Sequence, residues 1–335
     1  LKYKNKLNNN DMENKKIASI SISGEMTLNL HSLNNEGGEG NQIQTRQVTI
    51  LNTEGKESTE TGISGDMFKH IDAGHMVNCC VENHIALSEY SKRLDPNRIS
   101  ADELKDLAGG STQNQSDVID ALIKKCAICD TQGVLITGKV GENKSSSNTP
   151  RKSVIEFAWT VGIPDKNNTE TYLHTKVVAD AGAKGSGTGS NEGQNIFHRP
   201  ANYGAYAFIC NIDVYRIGLN DISREYPISD EEREKRYKAV VQSLLYTILN
   251  PKGAMTSTQR PHITDFKGVV SVSHKLIPAP TISAINPNYI EEINKIANNL
   301  NKIEKDAIDI MQFDGMGQFS EVLTSLYNAE PYRLE

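Results

Sequence analysis

The sequence predicts an α+β fold, and three observations carry that expectation. Periodic segments follow the order strand, helix, strand, then strand, helix, strand, which fits a split βαβ core of the ferredoxin-like, RRM type with large insertions. The run Tyr203–Ile217 is nearly continuous in apolar residues, as in a strand buried on both faces. Two strand-like runs flank the glycine- and serine-rich stretch Ala181–Gly193, as in a protruding β-hairpin with a flexible tip.

Each element has its own signal. Ile20 and Ile22 alternate with Ser19, Ser21 and Ser23, a period of two that makes residues 17–30 a strand. Residues 31–64 are polar and glycine-rich and read as a long irregular loop. Phe68, Ile71, His75, Cys79, Val81 and Ile85 are spaced apolar or semi-apolar positions in a helix reaching about Leu94, which Pro96 ends. Residues 100–125 carry short helical patterns, and Cys126–Ile136 begins a strand. A loop over 139–152 leads to a strand at Val154–Ile163. Tyr172–Val178 and Asn195–Arg199 form the two legs of the hairpin. Ser229 with Glu232 forms a capping box for a helix to about Leu249, which Asn250-Pro251 terminates. Its inward face is Val240, Val241, Leu244, Leu245 and Ile248. A strand–loop segment runs to about Ala284, and an amphipathic helix from Pro287 to about Asn301. There is no internal repeat.

The 335 residues are enough for a sizeable core in one large domain or two. No run of about eighteen apolar residues predicts a membrane span. The start, Leu1 to Asp11, is polar and lacks an apolar signal core, so residues 1–16 are expected to be a disordered extension, with Met12 as initiator. Five cysteines without a secretion signal read as reduced thiols of a cytoplasmic protein. The net charge of −6 weighs against nucleic-acid binding, but its distribution matters. Residues 291–335 hold nine acidic and four basic groups, a net of −5, and form an acidic C-terminal segment expected to be helical. The other 290 residues net −1, which leaves room for a local basic groove.

Backbone amides, amide side chains and a few cations at strand ends suit a phosphate backbone. In the loop Asn34–Arg46, Asn41 and Gln42 offer amide donors and Arg46 a charge; Lys69 and His70 follow at a helix start. The plain alternative is a solvated loop with incidental cations. The segment Asn250–His262 is rich in small donors, against the alternative of an ordinary helix-to-strand turn.

These motifs carry a resemblance. Ser32-Leu-Asn-Asn-Glu-Gly37, then Gly40-Asn41, then Arg46, then Phe68-Lys69-His70 with Ala73-Gly-His-Met76, resembles the DevR family. Its members are backbone subunits of Cascade, the type I CRISPR surveillance complex; the likeness here is to the I-B or I-A kind. It spans most of residues 17–290, with its specific motifs at 31–46, 65–80 and 250–284. The resemblance implies a hand-like architecture: an RRM-like palm (17–90, 126–163 and 201–290), inserted helical fingers (91–125) and a thumb hairpin (164–200). It implies that the Gly253-Ala-Met255 and Ser257-Thr258 run carries RNA contacts, here through Lys252, Met255, Thr256, Ser257 and Arg260, with Met255 an adaptable wedge against a base. It implies that Lys176, Lys184, His198 and Arg199 flank a thumb reaching over the next subunit's RNA. Such thumbs kink the guide so that one base in each short repeat is flipped out. The implied role is non-enzymatic. Several copies form a head-to-tail helical filament along one CRISPR RNA, bases free to pair with a target DNA strand, beside other Cascade subunits in an antiviral ribonucleoprotein.

Other chemistries are weighed beside this. Cys80 and His84, four apart on a helix, with Cys126 and Cys129 would make a Cys₃His zinc site stapling an insertion; the alternative is buried free thiols. No redox βαβ context follows the CxxC. The glycine-rich tip lacks the GK[ST] ending and a following helix, which excludes a nucleoside-triphosphate loop. A metal-dependent ribonuclease using Asp66 is one rival; a lone aspartate is more often a turn or cap residue. A free-standing RNA-binding or transcriptional regulator is another. No Ser-His-Asp spacing, HExxH or paired-carboxylate motif occurs.

Overall fold

The structure, a computed structural model, describes residues 15–100, 102–103, 114–137, 148–177 and 194–335. Most of the expected N-terminal extension (1–14), part of the expected fingers (101 and 104–113) and the hairpin tip (178–193) lie outside the described residues.

Along the chain run β1 (Lys16–Ile17), β2 (Ser19–His31), β3 (Asn35–Glu39), β4 (Gln42–Thr45), β5 (Gln47–Leu51), β6 (Glu57–Ile63), α1 (Gly65–Glu82) and α2 (Glu89–Lys92). Then come α3 (Gln115–Lys125), α4 (Ala127–Gln132), β7 (Val134–Ile136), β8 (Thr149–Arg151), β9 (Ile155–Phe157), β10 (Thr160–Val177) and β11 (Gln194–Ile212). The chain closes with α5 (Asp230–Leu249), β12 (His262–Ser273), α6 (Tyr289–Ile303), β13 (Ile308–Asp314), α7 (Met316–Tyr327) and β14 (Glu330–Pro331).

The central sheet has the order β13-β12-β2-β11-β10-β6-β5, with β9 also paired to β11. In its middle, β12, β2, β11 and β9 lie side by side, each pair antiparallel. Helix α1 falls between β2 and β9 in the chain and α5 between β11 and β12, so two strand–helix–strand units interleave.

Alternation along the strands divides the core between two faces. Ile20, Ile22, Met26 and Leu28 of β2 join Phe208 and Cys210 of β11 and Phe266, Val270 and Val272 of β12 on one face. There they pack against Phe68 and Met76 of α1, Val240 and Leu244 of α5, and Phe319 and Leu323 of α7. Phe266 is the hinge of an aromatic cluster, with ring centroids 4.9 Å from both Phe313 and Phe319. On the other face Ala205, Ala207 and Val269 are covered by Tyr289 and Ile293 of α6. The serines of β2 face that way too: Ser21 Oγ donates to Ala279 O at 3.1 Å. This two-sided cover is why β11 reads as a continuous apolar run.

The structure corrects several sequence expectations. Residues 31–64 form two hairpins, β3–β4 and β5–β6, rather than an irregular loop; β3 is polar and glycine-rich, which hid the pairing. The helix predicted to Leu94 ends at Glu82, where Asn83 caps it and its side chain donates to Cys79 O at 2.8 Å. Cys126 caps α4, so a short helix precedes the strand β7. The acidic C-terminal segment is not only helical: β13 is an edge strand of the central sheet and α7 packs into the main core. Its apolar residues Phe313, Phe319 and Leu326 needed burial regardless of the acidic groups between them. Lys15 and Lys16, placed in the disordered extension, are ordered by an ion pair to Asp309 at 2.6 Å and by β1 pairing with β14.

The hairpin legs are the outer ends of two long strands of the central sheet. β10 and β11 pair from Val161–Ala207 out to Val177–Gln194, so the expected boundaries at 164 and 200 fall inside continuous strands. A bulge between Gly162 and Asn167 marks where the ribbon leaves the sheet. Gly204 sits opposite with φ +133°, and a Cβ there would lie 2.2 Å from Lys166 O, so only glycine fits.

Beneath the sheet, the fully buried Asp130 accepts from Arg151 at 2.6 Å, Arg236 at 3.1 Å and the Gly218 amide at 3.0 Å. Removing the carboxylate leaves two buried guanidinium groups short of a countercharge. Asp130→Ala is expected to cost about 3–5 kcal/mol, measured by denaturant unfolding.

Asp72 is also fully buried, and burial pushes its carboxyl up to about 7 despite hydrogen bonds from Ser243, Gln132 and Thr247. The folded protein thus retains a proton that the unfolded chain releases near 3.8. This contribution to stability is full below that value and is lost as pH rises through about 7. Buried His31, held neutral, changes stability in the opposite sense below about pH 6.5, so the test is a difference: in thermal melts run side by side, the wild-type midpoint relative to that of Asp72→Asn should fall as pH rises from about 4 to about 7.

Candidate nucleic-acid interface

The interface is built around the end of β2. The strand stops at His31, whose ring packs edge-on against Tyr206 at 5.2 Å. Burial holds its imidazole down at about 3, so it is neutral in ordinary buffers and no phosphate ligand. The next residues, Leu33 and Asn34, are the hub. Asn34 Oδ1 accepts the Ser64 amide at 2.7 Å, fixing the cap of α1, and Asn34 O accepts the Arg46 amide at 3.4 Å. Leu33 O accepts the Ala254 amide at 3.0 Å, seating the 250–260 loop. The loop is also tied to α1, where His75 Nε2 lies 2.9 Å from Asn250 O.

The hairpin base joins the same place. Arg199 Nη1 donates to Thr258 Oγ1 at 3.2 Å while its guanidinium lies 4.6 Å from the Phe197 ring centroid. Gln259 Nε2 donates to Pro200 O at 2.9 Å. On the far side, Asn41 Nδ2 donates to Ile196 O at 3.2 Å, Asn41 O accepts the His198 amide at 2.9 Å, and Gln42 lies in register with His198.

The sequence-predicted residues therefore divide. Asn41, Gln42, His198, Arg199 and the Lys252–Arg260 loop are linked into one polar surface, and Arg46 joins it through Asn34. Lys252, Ser257 and Arg260 are exposed; Met255 and Thr256 are half-buried. Arg46 is held by Glu36 at 3.1 Å. Lys69 stands apart: among the described residues, no hydrogen bond or ion pair joins it to the loop. Burial and then Arg98 push its ammonium below the usual lysine range, with Asp66, Glu156 and Asp72 opposing. His70 is exposed on α1. Lys176 lies in β10 by its backbone, and Lys184 lies outside the described residues. Asp66 is exposed in the first turn of α1.

The four zinc candidates do not form a tetrahedral set. His84 lies beyond the end of α1 with φ +55° and is exposed, so the four-residue spacing from the buried Cys80 no longer shares a helix face. Cys126 and Cys129 are buried near Ser91, with Cys126 Sγ 3.2 Å from Ser91 Oγ. Among the described residues no group of three or more His, Cys, Asp or Glu is placed to hold a metal.

Sequence reasoning missed Asn34 as the organising residue, and Thr258 and Gln259 as partners of the hairpin base. Asn34 stood in the Ser32–Gly37 motif, but its role depends on contacts to Arg46 and Ser64, 12 and 30 positions away.

A family model described as CRISPR-associated negative auto-regulator DevR/Csa2 matches residues 22–294. A Methanocaldococcus jannaschii protein named CRISPR-associated protein Cas7/Cst2/DevR is 28% identical over 319 residues, covering 92% of this chain and 96% of that protein. Among solved structures, a chain titled CRISPR RNA-guided surveillance complex, pre-nicking, overlays with a TM-score of 0.47 at 12% identity, covering 92% of this chain and 99% of that one. A second CRISPR RNA-guided surveillance complex chain gives 0.43 at 12% identity, covering 87% of each. The family match spans well over half of the chain and by itself carries the family membership. No helix among the described residues is long and apolar enough to cross a membrane.

The seat of the 250–260 loop depends on a missing side chain. A Cβ at Gly253 would lie 2.6 Å from Leu33 O, and both atoms are backbone or backbone-bound. Gly253→Ala is expected to lift the loop and cost about 1–3 kcal/mol, read from denaturant unfolding.

Proposed function

The chain belongs to the DevR/Csa2 family of CRISPR-associated proteins, and from that premise we propose that it is a backbone subunit of a type I CRISPR surveillance complex. It binds the sugar-phosphate backbone of a CRISPR RNA without reading sequence and presents bases to a target DNA strand. In this reading the interleaved sheet is the RRM-type palm and the β10–β11 ribbon is the thumb. Copies assemble head-to-tail into an open filament, beside other subunits of the complex.

The observation that carries the reading is the meeting of three chain segments: the β2 end, the hairpin base and the 250–260 loop, through Leu33, Arg199 and Gln259. Amides, hydroxyls and guanidinium groups at such a junction suit phosphate and ribose oxygens and are indifferent to base identity. Specificity then falls to base pairing. The subunit is non-catalytic in this reading, and labelled RNA incubated with it and Mg²⁺ is expected to stay intact, whether or not Asp66 is replaced by Ala.

A second reading, a free-standing regulator, is favoured by the family's printed description as a negative auto-regulator. It requires sequence-selective binding by a small closed oligomer. The backbone reading requires sequence-tolerant binding that strengthens with RNA length. Anisotropy titrations with mixed-sequence RNAs of increasing length separate the two.

Replacing Arg46, Arg199 and Arg260 together by Ala is expected to weaken RNA binding and to reduce the slope of log K against log salt by about 2. A melting temperature that collapses in the same variant would mark these arginines as structural supports.

A further inference from the structure

The chain has one tryptophan, and it sits in the open. Trp159 falls in the break between β9 and β10, where Ala158 N donates to Ile209 O at 3.1 Å. Its relative exposure is 42%, high for so large an apolar side chain. One side of the indole rests against β6 and β5: a Cβ built on Gly62 would lie 3.3 Å from Trp159 Cε3 and equally close to Val48. The Arg46 guanidinium lies 5.8 Å from the ring centroid. Arg46 is in turn one hydrogen bond from Asn34, the hub of the candidate interface.

A supported indole, open on another side and flanked by a guanidinium, is the composition of a base-stacking platform on single-stranded nucleic acid. We propose that Trp159 and Arg46 together form a stacking site for one unpaired base of the bound single-stranded RNA. Arg46 exchanges its contact with Glu36 for the neighbouring phosphate. The proposal rests on the RNA-binding reading above. It adds Trp159, which the polar-segment argument did not include, and gives Arg46 a second role. Stacking accepts every base, so it is compatible with sequence-tolerant binding.

Because Trp159 is the sole tryptophan, its emission reports this position alone. The full chain, freed of co-purified RNA, is titrated with oligouridine and oligoadenine labelled for anisotropy, and indole emission is followed in parallel. The expected result is quenching that tracks the anisotropy isotherm. Trp159→Ala should weaken binding about tenfold, Trp159→Phe should retain most of the affinity, and Glu36→Gln should tighten binding by releasing Arg46. Circular dichroism on the variants guards against misfolding, and the wild-type emission needs no variant at all. Anisotropy that reports binding while emission stays flat overturns the stacking site and leaves the RNA-backbone reading standing. Absence of RNA binding by anisotropy overturns both. Emission that shifts with protein concentration alone, and not with RNA, assigns the indole to a contact between copies and overturns the proposal.

Discussion

The buried Asp130 is the constraint around which much of the chain is arranged. Its carboxylate lies between Arg151 of β8 and Arg236 of α5, with the Gly218 amide completing its partners. Arg151 spends its remaining donors on carbonyls of Asp130, Leu219 and Arg216 and on Asp221. Three arginines (151, 216 and 236) face four carboxylates (130, 213, 221 and 232) in this region. Charges taken so far from water are tolerable only when each is paired and hydrogen-bonded. The network therefore leaves little freedom in how α4, β8, the 214–221 turn and α5 meet.

That fixed meeting propagates to the candidate interface. Arg233, one turn before Arg236 on α5, donates to Ile217 O and to Pro331 O of β14, so the same helix also anchors that strand. α5 then packs along α1 and stops at Asn250, which starts the polar loop. The loop cannot drift, since Gly253 lies against Leu33 and Gln259 is bonded to Pro200. A surface of flexible polar side chains is thus presented on a backbone whose position is set by a dry core and a charge network. This is the arrangement expected where a ligand is gripped by its repeating backbone: donors need fixed spacing, not individual pockets.

A net charge of −6 does not by itself exclude the cationic grip proposed above. Asp309 is occupied by Lys15 and His274, Glu304 by Lys275, and Glu25 by Lys166 and Lys267. Local potential, not the total, governs association. Among the described cations Lys69 differs from the arginines: its half-buried position near Arg98 disfavours a positive charge.

Local patterning alone determined the serine–isoleucine alternation of β2, the Ser229 cap of α5, its stop at Asn250-Pro251 and the apolar run of β11. Each depends on neighbours within a few residues, which a linear reading contains. The quoted motif residues also located the loop segments that meet. Tertiary structure alone decided what lay between them. The polar β3–β4 hairpin gains its register from β11, the acidic C-terminal segment gains a strand from β12, and Asn34 gains its role from Ser64 and Arg46. His84 lost its expected place beside Cys80 when α1 ended at Glu82. In every such case the stabilising partner is distant in sequence, and hydrogen bonds and burial with distant partners leave no periodic trace in the chain that makes them.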